Sequence, residues 1–144
     1  MTEPALMEPR GGRLDDADEL LFRQVHPTFV QAGRPTSAAF VPSKKDAGML
    51  SVTRGSLVSA EVAWNLHTTG KGLASAGVWA VTVGECSALP LPCYADPEPG
   101  PPVDDAHSVI DYRGLSRGVA EARGKALSRL AADRGCCFSP PAPR

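Results

Sequence analysis

Between residues 20 and 53 the chain carries three short apolar runs divided by turn residues. Residues 20–25 end at His26-Pro27, residues 38–41 end at Pro42, and residues 49–53 follow the turn Lys44-Lys45-Asp46-Ala47-Gly48. A residue ahead of proline is pushed out of helical geometry, and glycine lets the backbone reverse, so this pattern predicts three strands, the last two joined as a hairpin. Residues 76–85, AGVWAVTVGE, alternate Val78, Ala80 and Thr82 with Trp79, Val81 and Val83. Apolar side chains at both parities predict a central strand covered on both faces, delivering Glu85 to its end. Residues 107–112 predict another strand, with Val109 and Asp111 on one face and Ser108, Ile110 and Tyr112 on the other. Two stretches repeat at helical spacing instead. Ser59 caps residues 60–68, with Val62, Ala63 and Leu66 inward and Gly70 as a stop. Ser116 caps residues 117–134, with Val119, Ala122, Ala126, Leu127, Leu130 and Ala131 as the stripe and Gly135 beyond it.

Six prolines lie between Ala88 and Val103. Proline has no amide to donate, so residues 88–103 are expected to leave the sheet as an extended loop, with Cys93 exposed in it. Residues 1–13 are expected to be mobile, residues 136–138 to add a short strand, and residues 139–144 to fray. The order of elements does not repeat the strand-helix alternation of a doubly wound parallel sheet. It predicts a single compact α+β domain over residues 14–138, with a mixed or antiparallel sheet of about five to six strands and two helices. The expected core is Leu21, Val25, Phe40, Leu50, Val52, Val62, Leu66, Val78, Val81, Val83, Val109, Ile110, Val119, Leu127 and Leu130.

Composition sharpens this picture in three ways. The chain of 144 residues suits one domain, and 42% hydrophobic with 22% charged residues is the balance of a globular protein. Lys plus Arg number 15 against 16 for Asp plus Glu, which argues against a dedicated nucleic-acid binder; the basic residues of the last helix read as a solvated face. The acidic, proline-containing start lacks the pattern of a secretory signal and no run reaches membrane-spanning length, so a soluble, cytoplasmic protein is expected. Its cysteines at 86, 93, 136 and 137 are then reduced packing thiols, and no metal site is expected.

Candidate chemistry sits at the joints. Arg23 lies inside an apolar run, so its guanidinium either snorkels to solvent or is held toward a site that needs a fixed positive charge. His26 ends the first strand. Thr36 and Ser37 open the second, where hydroxyls ordinarily bond the local backbone, and Ser51 lies on the third. Glu85, at the end of the strongest strand, and Asp111 are the candidate site carboxylates, each alternatively a strand-end acid. Phosphate-loop, dinucleotide-loop, HExxH and GxSxG patterns are all missing from the sequence. These residues suggest a domain that binds a partner protein or a small ligand through the Arg23/His26 end of the sheet and the Pro-rich loop. They call for no cofactor.

The order Arg23, then Ser37 or Ser51, then Glu85 resembles that of the ADP-ribosyltransferase superfamily. That resemblance implies a small NAD-using transferase or glycohydrolase in which Arg23 contacts the dinucleotide, Ser37 or Ser51 orders the nicotinamide ribose, and Glu85 is the catalytic carboxylate. The match covers residues 20–86 in order only; the hydroxyl motif departs from the usual STS form, and no second Glu or Gln stands two residues before Glu85. The chain as a whole also resembles a small bacterial family to which the residues attach no activity.

Overall fold

The computed structural model describes residues 8–141. Its strands are β1 (Leu20–Val25), β2 (Val30–Gln31), β3 (Arg34–Pro35), β4 (Met49–Arg54), β5 (Gly77–Thr82), β6 (Cys93–Ala95) and β7 (His107–Asp111). The helices are α1 (Ala60–Asn65), which runs on into a π turn at Leu66–Gly70, α2 (Val83–Ser87) and α3 (Arg117–Arg134). Five strands form one antiparallel sheet in the order β5-β1-β4-β7-β6, and β2 and β3 form a separate two-residue hairpin. This is an α+β fold.

The sheet has two unlike faces. On one, Leu21, Val25, Leu50, Val52, Trp79, Val81 and Ile110 pack with Phe40, Leu127 and Ala131 into the main core. α3 closes this face, and its close approach depends on Gly124: a Cβ there would collide with Val41 Cγ2 and sit 3.0 Å from Phe40 O. Tyr112 donates its hydroxyl to Phe40 O at 2.5 Å, which pairs a buried phenol and holds the turn under the helix. On the other face α1 covers only β5 and β1, where Phe22, Ala63, Val78 and Ala80 form a smaller cluster bordered by Trp64 and Phe138. Among the described residues no helix covers the part of this face over β4 and β7.

Both edges of the sheet are occupied. Along β5, Val78 N donates to Phe138 O and Cys137 N to Val78 O, each at 2.8 Å, and Arg134 Nη1 donates to Ala80 O at 2.9 Å. Along β6, Gly11 N donates to Ala95 O, Ala95 N to Gly12 O and Leu14 N to Cys93 O, all at 2.9 Å. Backbone groups that would otherwise invite another strand are thereby paired. Of residues 1–13, expected to be mobile, residues 1–7 lie outside the described ones and residues 11–13 run along β6; of the tail, residues 142–144 lie outside them.

Several expectations are corrected. β5 is an edge strand in hydrogen bonding, not the central one; it reads as central because both its faces are buried while its edge is capped by the C-terminal segment. It also stops at Thr82, because Thr82 and Glu85 form a capping box that starts α2. Residues 38–41 are not a strand: Ser37–Phe40 is a 3-10 turn that turns Ala39 and Phe40 inward, and Thr36 and Ser37 lead into that turn. The Pro-rich segment does contribute a strand, β6, because residues 93–95 fall between Pro92 and Pro97 and keep their amides. Cys93 in it is buried, whereas Cys136 and Cys137 are exposed. Residues 136–138 form an isolated bridge at Val78 and not a strand. Val62, Val119 and Leu130 are exposed, at 52%, 40% and 37%, because α1 and α3 meet the sheet on narrower stripes than their sequences carry.

Candidate functional site

The uncovered half of the second face is a groove. Alternation along the strands and the pairing Phe22 with Thr53, Thr53 with His107 and Ser51 with Val109 put Gln24, Ser51, Thr53 and His107 on this one face. Ala63, Leu66, His67 and Lys71 form its wall on the α1 side, and Glu98 and Asp104 its wall on the loop side, around a cavity of about 370 Å³. A second hollow of about 190 Å³ adjoins it, lined by Pro9, Arg10, Met49 and Asp96 among others, and the two share Asp46, Ser51, Glu98 and His107.

His107 is the centre of this arrangement. It is 7% exposed, opening β7 beside the end of β6, and its Nδ1 lies 2.8 Å from Asp96 O and 3.1 Å from Asp96 Oδ2. Asp96 is in turn held by Arg10, whose backbone N and Nη1 donate to Oδ1 at 2.9 and 3.3 Å. The Asp96 carbonyl oxygen, which can only accept, places the ring proton on Nδ1 and fixes the ring's orientation, with the Asp96 carboxylate beside it, and leaves Nε2 as the acceptor. That Nε2 has no hydrogen bond among the described residues and is not sealed in, and the ring lines the groove.

Gln24 supplies a second unmet demand. Its Nε2 is buried without a hydrogen-bond partner, while its Oε1 accepts from Ser75 Oγ at 2.8 Å. Ser75 Oγ also lies 3.0 Å from Gly77 O and has one proton, so it cannot donate to both. Turning the amide over lets Ser75 serve Gly77 and accept from Gln24. In either orientation one polar end of the Gln24 amide is left unpaired at the groove wall.

The rest of the groove's charge is spoken for. Lys71 Nζ donates to Glu98 Oε1 at 2.7 Å and to Asp104 Oδ2 at 2.9 Å, tying the Pro-rich loop to the end of the π turn. Burial pulls its pKa down, and the two carboxylates outweigh this and raise it. Burial depresses the pKa of His67, and the nearby charges of Lys71 and Arg23 add to this against a bond to the Ala74 backbone.

The structure gathers two of the residues singled out in the sequence and disperses the others. Arg23 and Ser51 both border the groove. β1 and β4 pair only at Leu21 and Phe22 and then part, and the Arg23 guanidinium fills the gap, donating from Nε to Ala39 O at 2.7 Å and from Nη1 to Ser51 O at 2.9 Å. Burial pushes its pKa down to about 10, partly opposed by Asp46. His26 is exposed and caps the 3-10 turn Pro27–Phe29 by accepting from Thr28 N, and Ser37 is exposed at the start of the next turn. Glu85 lines none of the groove: its carboxylate takes Arg134 Nη1 and Nη2 at 2.9 and 3.1 Å and the Thr82 amide at 2.8 Å. Asp111 is bonded to the Nε and Nη2 of Arg113. The sequence reading missed Asp96, His107 and Gln24. Asp96 and His107 are eleven residues apart and meet only because β6 pairs with β7; recognising that hairpin was the signal available.

Among the described residues no three His, Cys, Asp or Glu side chains are grouped to hold a metal ion, and no helix is long and apolar enough to cross a membrane. Comparison with protein-family models, with curated proteins and with solved structures returned no match to the chain.

Proposed function

We propose that this chain is a small soluble domain that binds a small polar ligand in the groove over β4 and β7. The observation that carries the reading is the polar lining of one cavity by Gln24, whose buried amide keeps one end without a hydrogen-bond partner, and by His107, whose Nε2 makes no hydrogen bond among the described residues. Buried polar groups are almost always paired, and an orphan costs roughly 1–3 kcal/mol, so the unpaired end of the Gln24 amide beside this cavity is best explained by a ligand that pairs it. A cavity of about 370 Å³ is within the range of small-molecule sites. The NAD-using alternative would need Glu85 beside Arg23 and Ser51, and the groove holds His107 there instead, with Asp96 in the adjoining hollow.

The test is a titration of a library of small polar compounds followed by the NMR signals of the Gln24 side-chain amide and the His107 ring. Compounds that bind should move both sets of signals, and Ser51→Trp, which fills the groove from its floor, should abolish the effect. A library in which no compound moves either signal, or binding unchanged in Ser51→Trp, would overturn the reading.

A further inference from the structure

We propose that the groove hydrolyses a small neutral ester, with His107 as general base and Asp96 as its positioning residue. This rests on the ligand reading above and adds a reaction to it.

The strands lay the parts out in sequence across the sheet. Asp96 follows β6, His107 opens β7, and Thr53 stands directly across from His107 on β4. With Nδ1 turned to Asp96 on the β6 side, Nε2 is the ring nitrogen left free, and the ring lines the cavity together with Ser51, Thr53 and Gln24. Imidazole with a carboxylate behind it is the arrangement that stabilises the cation formed when Nε2 takes a proton. A ligand anchored at Gln24 has its other end over β4 and β7, beside that nitrogen.

Charge selects a neutral substrate. The lining holds three carboxylates, Asp46, Glu98 and Asp104, against two cations, Arg23 and Lys71, and Lys71 is committed to Glu98 and Asp104, so the groove's charge disfavours an anion. An ester is favoured over an amide because its alkoxide leaves readily, so one imidazole can serve as both base and acid.

In the reaction, His107 Nε2 accepts a proton from water as the water oxygen bonds to the carbonyl carbon. The tetrahedral intermediate then breaks its bond to the alkoxide oxygen, and that oxygen takes the proton back from the imidazolium. The products are a carboxylic acid and an alcohol, and His107 is returned to its starting state.

The experiment uses the full chain with 4-nitrophenyl acetate as probe. Wild type should show saturable turnover, ~10²-fold or more above the same concentration of free imidazole. His107→Gln should fall to background, and Asp96→Asn should lower kcat and displace the pH-rate profile, which a merely structural role would not do. Because His107 is buried, thermal melting and compound binding at the Gln24 signal are measured on each variant, so that a lost rate in a folded, binding-competent protein is read as lost chemistry. A wild-type rate equal to imidazole, or one retained in His107→Gln, would overturn the inference; an undisplaced profile in Asp96→Asn would remove Asp96 from it. Compound binding without turnover overturns the hydrolysis alone, and absence of any groove binding overturns the ligand reading with it.

Discussion

The two faces of the sheet are built from the same strands, yet they treat polar groups in opposite ways. On the α3 face the side chains of Leu21, Val25, Val81, Ile110 and Leu127 are fully buried, and the one phenol among them, Tyr112, is paired with Phe40 O. On the other face α1 stops short, and the strands present Gln24, Ser51, Thr53 and His107 to a cavity. Apolar burial at roughly 25 cal/mol per Å² rewards closure of the first face. The second face forgoes that burial and keeps an unpaired amide end at Gln24, a cost that stability alone does not explain. The difference separates a face that holds the fold from a face that is available for recognition.

The contrast breaks most sharply at Val81. The side chain is at 0% exposure in the main core, with no polar partner for a carboxylate. Val81→Asp should cost roughly 4 kcal/mol or more and abolish cooperative unfolding, checked by a thermal melt. A melt within a few degrees of wild type would mean that the α3 face is not the structural one.

The closed face was the legible one. Strand β1, helix α3 and the apolar positions of β5 follow from periodicity, because a buried element writes its burial into every second or every third to fourth residue. Local chemistry overrode periodicity elsewhere: the Thr82–Glu85 capping box turned an apparent strand end into α2, and Pro42 closed a 3-10 turn where residues 38–41 look extended. The groove was nearly illegible. Its residues come from β1, β4, β7, the π turn and the Pro-rich loop, and a face that is half polar carries no period. Ser51 and Arg23 were noticed for their residue types; the pairing of Asp96 with His107 is a product of the β6 and β7 register, which single residues do not announce.

An acid titration separates charges that support the fold from those in the groove. Burial raises the Glu19 carboxyl, but hydrogen bonds from Arg54 and Ser56 and the Arg54 charge outweigh it, leaving its pKa below the usual glutamate range. Glu85 is shifted the same way, burial being outweighed by Arg134 and Thr82. Both groups bind fewer protons when folded than when unfolded, so their stabilisation is present above their unfolded pKa and is lost as pH falls through the folded one. Glu19→Gln should lower stability by roughly 1–3 kcal/mol at pH 7 and flatten the loss of Tm between about pH 5 and pH 3. An unchanged acid slope would remove Glu19 from the supporting set.

The smallest effect is the most discriminating, because its sign differs between the two faces. Replacing a buried, fully paired polar group lowers stability, whereas replacing an orphan removes a standing cost. Gln24→Leu takes away the unpaired amide end, leaves Ser75 Oγ its bond to Gly77 O, and sets an apolar side chain in a groove that Ala63, Leu66 and Leu73 also line. It should therefore raise stability by ~1 kcal/mol, a gain of roughly 3 °C in Tm, while abolishing the response of the His107 signals to polar compounds. Melting and NMR titration on the same sample read both quantities. A fall in Tm would show that the Gln24 amide supports the fold, and the division of the sheet into a holding face and a recognising face would then fail at the residue on which it most depends.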